Sequence, residues 1–538
     1  MSFLVRFANP LAIWVRDCGL GRFLFYFQGM FRARLLLFVA LLSLGRMAEG
    51  QEKQVETTIS GLQQRLLAHV SQPRFAGALW GVKVTSLDTG AILFEHNSEK
   101  LLSPASNSKL YTVALGLERL GGEYQIKTSL YAASKPDETG TLKGDLIVYG
   151  RGDPTINTHA HSNRLALQPL VAALAKAGVK RIAGDLVADE SYFHGPPFGS
   201  GWAWDDLENN YGAEISALTI NDNVAVFFAK PGSAPGQPCE LRLVPSAYLV
   251  LSNRTETVKE GNRSFNYFRP FGQNVVYVSG RMPLAEPEYR DELPVPNPAA
   301  MFVALFKDAL NAAGISVEGY ARTVNWLDHQ AAASSCDNMV ELGYVESLPV
   351  NDIAREILKP SQNLYADLLL AQVGEQKRPA EGAANVSSEE LGIRELNRFL
   401  GEVGIPRGDV LFEEGSGLSR NNLTTARATV ALLEFMNRHK WGEAFRQALP
   451  IAGVDGTLRS RMNGTAAAGN VRAKTGTLRW AISLSGYVTS AAGEHLAFSV
   501  MLNRYHSPNG NRSGREEVDA IPVMLAEFRG RSAELQKH

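Results

Sequence analysis

Pro104-Ala105-Ser106-Asn107-Ser108-Lys109-Leu110-Tyr111-Thr112-Val113-Ala114-Leu115 reads as the opening of a helix that runs to about Leu120 and stops at Gly121-Gly122. A serine and a lysine three positions apart on a helix share a face, so the Lys109 amine can reach the Ser106 hydroxyl. A helix start also favours negative charge developing on a serine oxygen. Alone, Ser-x-x-Lys is common enough to arise by chance in a chain of this size, and an exposed polar helix start explains it equally well. Its surroundings decide how it is read. Upstream, residues 55–70 carry Ile59, Leu62, Leu66, Leu67 and Val70 at the spacing of an amphipathic helix. Residues 80–87 and 91–94 then flank Asp88-Thr89-Gly90 as two strands around a turn.

Downstream, from about 125 to 345, short β-like runs at 145–149, 182–187, 241–243 and 274–278 alternate with Gly, Pro and Asn turns, and a helix is expected at 299–313. Beyond 345 helical periodicity returns at 351–358, 364–373, 389–403 and 425–438. Strands at 482–488 and 496–502 and a closing helix near 516–528 follow. A helix and hairpin at one end, with strands and a helix at the other, predict one α/β domain split by a long β-rich insertion.

Two further motifs lie in the C-terminal part. Ser361-Gln362-Asn363 follows Pro360 and precedes an apolar helix, where Ser and Asn also serve as ordinary N-caps. Lys474-Thr475-Gly476-Thr477 precedes an alternating strand; Gly lets a ligand approach the backbone, and Lys and Thr can clamp a carboxylate, although a strand edge with a solvated lysine looks the same. The order Ser-x-x-Lys, Ser-x-Asn, Lys-Thr-Gly, each in a fitting context, is the set used by penicillin-binding proteins and class A β-lactamases. Ser106 is then the expected nucleophile and Lys109 its base, made neutral by burial and by a second cation, Lys474. Ser361 relays a proton to the leaving amine, Asn363 holds Lys109 and the peptide, and Lys474 and Thr477 grip the substrate carboxylate. The backbone N–H groups of Ser106 and Thr477 are the expected oxyanion hole.

Composition bounds the rest. The chain of 538 residues, 45% apolar and 20% charged, is of globular type and holds more than one domain. A net charge of −1 supplies no strong pull toward nucleic acid or an anionic membrane. Arg32 and Arg34, the apolar run 35–44 and Ala48-Glu49-Gly50 describe an export signal within residues 1–50, so a periplasmic protein is expected. The aromatic and basic stretch before Met30 is unusual for a signal, and a retained leader would leave the protein loosely associated with the membrane. Cys18 falls in the leader; Cys239 and Cys336 are either a disulfide or two separate thiols. His159 and His161 have no third ligand at a telling spacing, and neither a metal nor a cofactor is expected.

About 250 residues separate Lys109 from Ser361, room for whole domains. With that spacing, and with Gly152-Asp153-Pro154-Thr155, Gly201-Trp202-Ala203-Trp204-Asp205-Asp206, Gly415-Ser416-Gly417-Leu418-Ser419-Arg420 and Lys474-Thr475-Gly476-Thr477-Leu478, the chain resembles the class C low-molecular-mass penicillin-binding proteins of the penicillin-binding protein 4 type. The resemblance implies an α/β (α+β) β-lactamase/transpeptidase-like domain (51–125 and 345–538) with two β-rich inserted domains. The first would span 126–144 and 216–344, and the second, 145–215, would be nested in it. It implies a serine D-Ala-D-Ala carboxypeptidase or D,D-endopeptidase acting on peptidoglycan stem peptides of the meso-diaminopimelate type and acylated by β-lactams. It further implies that Asp206 and Arg420 take the amino and carboxylate ends of the diaminopimelate side chain, as a zwitterion requires. Gln362 stands where Asp is common, and Arg479-Trp480 are bulky beside the third motif, which puts substrate preference in question. The rivals are a β-lactamase, which shares the acylation machinery but must deacylate quickly, and a wall-binding scaffold with a relic site, against which stand Ser106, Lys109, Ser361, Asn363 and Lys474 all being present.

Overall fold

The structure, a computed structural model, describes residues 57–157, 167–246, 248–332, 339–507 and 513–533. The expected leader with Cys18, the His159 and His161 pair and Cys336 lie outside the described residues. Cys239 is a buried thiol against Thr257.

An antiparallel five-stranded sheet joins the two ends of the chain. Leu79–Ser86 pairs with Ile92–His96 on one side and His495–Asn503 on the other, followed outward by Ala481–Thr489 and Arg472–Leu478. Side chains alternate across it as a pleated strand demands. Val488 and Leu496 enter a core shared with Leu62 and Leu66 of the Ile59–Val70 helix and Ile521 and Leu525 of the Gly514–Glu527 helix. Their neighbours Tyr487 and Ala497 enter a second core on the other face. That core is built on the Ser108–Arg119 helix, which is buried on every side from Ser108 to Leu117 and packs on the helices Val350–Leu358 and Asn363–Gln376. Burying Leu110, Val113, Leu115 and Leu117 contributes on the order of 2 kcal/mol each. The Tyr111 hydroxyl, buried with them, is met by Thr424 and Thr429 at 2.9 Å each. A helix so enclosed cannot shift without emptying the core, so it is a rigid platform for whatever stands at its first turn.

The insertion carries a second five-stranded sheet, ordered Ala321–Val324, Leu186–Asp189, Leu146–Tyr149, Lys127–Ala132, Val340–Glu346. Residues 224–294 add two three-stranded sheets. All of these share one core with the Pro298–Ala312 helix, through residues such as Leu130, Val148, Phe227, Val278 and Phe302.

This pairing corrects the boundaries drawn from sequence. The strands at 146–149 and 186–189, assigned to a nested domain 145–215, lie in the middle of the sheet that Lys127–Ala132 and Val340–Glu346 help to build. Residues 224–294 supply the sheets that stand apart from this one in pairing. Alternation marks a run as a strand but says nothing about which run lies beside it, and the pairing of 127–132 with 340–346 spans the whole insertion. The single run expected at 182–187 is two strands in two sheets, Arg181–Ile182 and Leu186–Asp189, broken where a Cβ on Gly184 would strike the Gly144 backbone. The short helices Gln168–Lys176 and Gly442–Ala448 had no strong periodic signal. Among the described residues no helix is long and apolar enough to cross a membrane.

The first turn of the buried helix is fastened to the sheet by polar contacts: Asn107 Nδ2 donates to Ser485 Oγ at 2.8 Å, and Ser485 Oγ donates to Ser499 Oγ at 2.9 Å. Ser485→Ala leaves a buried donor unpaired, a cost of about 1–3 kcal/mol. The expected result is a thermal midpoint lowered by about 1–4 °C in circular dichroism; an unchanged midpoint would mean that this link does not hold the turn.

Candidate active site

Ser106 lies in a 3₁₀ turn, Ala105–Asn107, that feeds the α-helix starting at Ser108. Ala105 has φ 48°, a left-handed conformation that is costly for a residue with a Cβ and persists only where neighbours impose it. Two glycines are those neighbours. A Cβ on Gly417 would collide with the Ala105 carbonyl oxygen, and one on Gly476 with the Pro104 carbonyl oxygen and Ser483 Oγ. Ser483 donates to that same Pro104 carbonyl at 2.5 Å. The glycine of the third motif therefore seats the turn that bears the first.

Lys109 is fully buried and donates to Ser106 Oγ at 3.0 Å, Asn363 Oδ1 at 2.5 Å and the Ser416 carbonyl at 2.6 Å. Burial lowers its pKa to about 8, with Asp367 and Glu414 opposing. Lys474, equally buried, donates to Ser361 Oγ at 2.7 Å and to the Thr475 carbonyl at 2.8 Å. Its pKa is held well below the usual lysine range by burial, then by the charges of Lys109 and Arg461. Burial is the first cause for both amines, and the repulsion between them, expected from the sequence, adds to it.

Ser361 has φ 71°, and Gln362 is the N-cap residue of Asn363–Gln376 without a side-chain capping bond. Neither Ser361 nor Asn363 is spent on capping; both side chains serve the lysines. Asn363 Nδ2 donates to the Tyr211 carbonyl at 2.9 Å, so the insertion steadies the residue that holds Lys109. Thr475 donates its hydroxyl to Thr457 Oγ1 at 2.8 Å, and Thr477 is exposed. Ser106, Ser361, Thr475 and Thr477 line one cleft of about 740 Å³. Lys359, Arg459, Arg461 and Arg515 also line it. Lys359 pairs with Asp455 and Arg461 with Asp519, both at 2.5 Å. Glu356 lines the cleft as well, so Arg459 and Arg515 are the cations it presents to a carboxylate that enters. Asp206 and Arg420 stand outside this lining and face each other in an ion pair at 3.1 Å. Asp206 is buried and also accepts from the Ala203 N–H at 2.9 Å; Arg420 is about half-exposed.

Two buried acids escaped the sequence reading. Glu414 accepts from the N–H groups of Ser416 at 2.9 Å and Gly417 at 2.7 Å, from Asn422 Nδ2 at 2.7 Å, and from the Ser416 hydroxyl. Asp367 Oδ1 accepts from the Gly415 N–H at 3.0 Å. Together they shape the turn whose Ser416 carbonyl receives the Lys109 amine. The available signals were an acid directly before a Gly-Ser-Gly turn and an acid one helical turn after Asn363 in an otherwise apolar stretch. Arg459 and Arg515, on the cleft wall, carried no pattern at all.

A hydroxyl beside a dehydrated amine, with a second serine bonded to a second amine in the same cleft, suits nucleophilic catalysis through an acyl-serine. Comparison with known proteins agrees. The model of the D-Ala-D-Ala carboxypeptidase 3 (S13) family matches residues 62–527. A D-alanyl-D-alanine carboxypeptidase of Actinomadura sp. (strain R39) is 33% identical over 491 residues, covering 88% of this chain and 86% of that one. The crystal structure of penicillin binding protein 4 from Haemophilus influenzae superposes with a TM-score of 0.72 at 26% identity, covering 87% of this chain and 98% of that one. A structure of the same Haemophilus protein complexed with a β-lactam matches with a TM-score of 0.68 at 24% identity over the same shares.

If Lys109 takes the serine proton, it must be neutral, which it is above its pKa. Acylation of Ser106 by a reactive acyl donor, followed by stopped flow, is then expected to rise about tenfold per pH unit at low pH and to level off near 8. Glu414→Gln removes a charge that favours protonated Lys109 and is expected to move the limb down by about 0.5–1 unit. A rate flat from about pH 6 to 9 would exclude Lys109 as the proton acceptor.

Proposed function

This chain belongs to the D-Ala-D-Ala carboxypeptidase 3 (S13) family and is a serine D-Ala-D-Ala carboxypeptidase; from that premise we propose that Ser106 is its nucleophile and Lys109 the base. The observation that carries the assignment is the fully buried Lys109 amine held 3.0 Å from Ser106 Oγ. Neutral Lys109 accepts the serine proton as Ser106 Oγ attacks the carbonyl between the two D-Ala residues. The oxyanion forms against the backbone N–H groups of Ser106 and Thr477. Ser361, bonded to Lys474, relays the proton taken up by Lys109 to the departing amine as the peptide bond breaks and D-Ala leaves, which returns Lys109 to its neutral form. Water then attacks the acyl-serine, regenerating Ser106. Because the Lys474 amine is committed to Ser361 and the Thr475 carbonyl, the terminal carboxylate is better met by Thr477 and the cations Arg459 and Arg515.

The acyl-enzyme is the same whichever amine leaves, so we extend the proposal to D,D-endopeptidase cleavage of cross-links. The substrate is a peptidoglycan stem peptide, of the meso-diaminopimelate type in this proposal. The Asp206–Arg420 pair supports that side-chain preference: a zwitterion inserted between them exchanges one ion pair for two. With Arg420 about half in solvent, the pair itself is worth roughly 1 kcal/mol or less, so opening it costs little. A β-lactam presents the same carbonyl and carboxylate and acylates Ser106. The export signal read in residues 1–50 places the enzyme in the periplasm, where this substrate is found.

Ser106→Ala is expected to abolish labelling by a fluorescent penicillin and release of D-Ala from a pentapeptide. Equal labelling of the variant would mean another nucleophile. Arg420→Ala is expected to raise KM about tenfold or more for a diaminopimelate peptide while leaving kcat within about twofold and penicillin labelling unchanged. A KM unmoved between diaminopimelate and lysine peptides would remove Arg420 from substrate recognition.

A further inference from the structure

A second cavity, of about 510 Å³, shares no lining residue with the cleft. Four carboxyl groups line it: Glu190, Glu214, Asp367 and Glu389. Phe193, Phe198 and Trp326 form much of the remaining wall, and His194 stacks on Trp326 with ring centres 5.2 Å apart. No lysine or arginine is among the lining residues.

Each carboxyl group is hydrogen-bonded through at least one oxygen. Glu190 accepts from Ser216 Oγ at 2.5 Å, Glu214 from the Asn297 N–H at 2.8 Å and Glu389 from the Ser200 hydroxyl at 2.6 Å. Asp367 differs. Its Oδ1 is taken by Gly415, while Oδ2 is buried with no hydrogen-bond partner among the described residues. That oxygen is closed off from the cavity space, whereas Glu190 and Glu214 line it and each keep one carboxyl oxygen with no hydrogen bond among the described residues, which a donor supplied from outside would meet.

The chemistry of the walls defines that donor. Among the described residues no three acids come together as a metal would need, and the wall is largely aromatic. The volume lies within the range of about 300–1,000 Å³ typical of sites for small organic molecules. We propose that this cavity is a binding site for a small organic monocation, an amine or guanidine on an apolar body, seated against Glu190 and its neighbouring acids.

The acids make binding depend on pH. Glu190 and Glu389 are each pushed up to about 7, chiefly by burial; Asp189 and Glu214 add to the first, and Glu414 and Glu413 to the second. Burial also raises Glu214, opposed by Arg269. Asp367 is raised by burial, then by Glu414 and Glu389, with Lys109 opposing. His194 is lowered by burial, with Arg378 and His329 acting in the same sense and Glu375 against. The empty cavity is therefore largely protonated below about pH 7, and a cation that requires a carboxylate must displace a proton. Affinity rises as pH rises through that value and levels off above it.

The test is calorimetric titration of the full-length protein with benzylamine, and with benzyl alcohol as the uncharged isostere. It is run on unmodified protein and on protein whose Ser106 cleft is blocked by penicillin. Benzylamine is expected to bind both forms, at least about tenfold more tightly than benzyl alcohol, with affinity rising about tenfold from pH 6 to 8 and about one proton released. Glu190→Gln is expected to weaken benzylamine at least about fivefold while penicillin labelling stays unchanged. Equal affinity for the two probes, binding abolished by the blocked cleft, or an affinity independent of pH in the wild-type protein would each overturn the proposal. Failure of penicillin to label would instead count against Ser106 and leave the titration of unmodified protein to decide the cavity.

Discussion

A primary amine taken out of water has three hydrogen-bonding positions to satisfy and a strong reason to shed its charge. Burial supplies the reason, and the three positions are filled from different parts of the chain: Ser106 from the turn before its helix, whose hydroxyl donates once the amine is neutral, Asn363 from the next motif, and the Ser416 carbonyl from a turn held by Glu414 and Asp367. Each partner needs its own support. Asn363 must be the first residue of a helix, Ser416 must lie in a turn pinned by a carboxylate, and Ser106 must sit in a strained turn wedged between Gly417 and Gly476. Much of the helical half of the molecule can be understood as the apparatus that keeps water from this amine while leaving the serine beside it open to the cleft.

The insertion belongs to that apparatus. Tyr211 lends its carbonyl to Asn363, and Asp206 reaches Arg420 of the turn that also carries Ser416. A segment that reads as a separate β-rich body therefore supports one catalytic residue by its backbone and adds a charge beside another turn. The hydrophobic platform beneath is unyielding, whereas the Asp206–Arg420 contact is weak and half-solvated, so rigidity lies under the reacting groups and adaptability at the periphery.

The sequence revealed the three motifs and the split α/β frame because each is local. Ser106 and Lys109 are one turn apart, Ser361 and Asn363 flank a single residue, and Lys474 to Thr477 occupy a strand edge. Helices such as 363–376 and strands such as 481–489 announce themselves by period. What escaped is relational. Which β-run neighbours which is decided by pairing between residues as distant as 127–132 and 340–346. Glu414 and Asp367 became meaningful only when folding placed them under Lys109, and Asp206 and Arg420, named for one ligand, turned out to be each other's partners while the site is empty.

The catalytic sheet joins residues near 79–96 to residues near 472–503, with the whole insertion in between. Pairing strands so far apart in sequence is intrinsically slow. Until they pair, Ser106 and Lys109 already stand side by side in sequence, yet the lysine is hydrated and keeps its proton, near the ordinary value of about 10.4. The nascent polypeptide therefore owns both reactive side chains but is chemically silent. Latency here needs no propeptide or inhibitor: the enzyme is armed by its own final strands, and any partly assembled copy is harmless to the polymer it would otherwise cut.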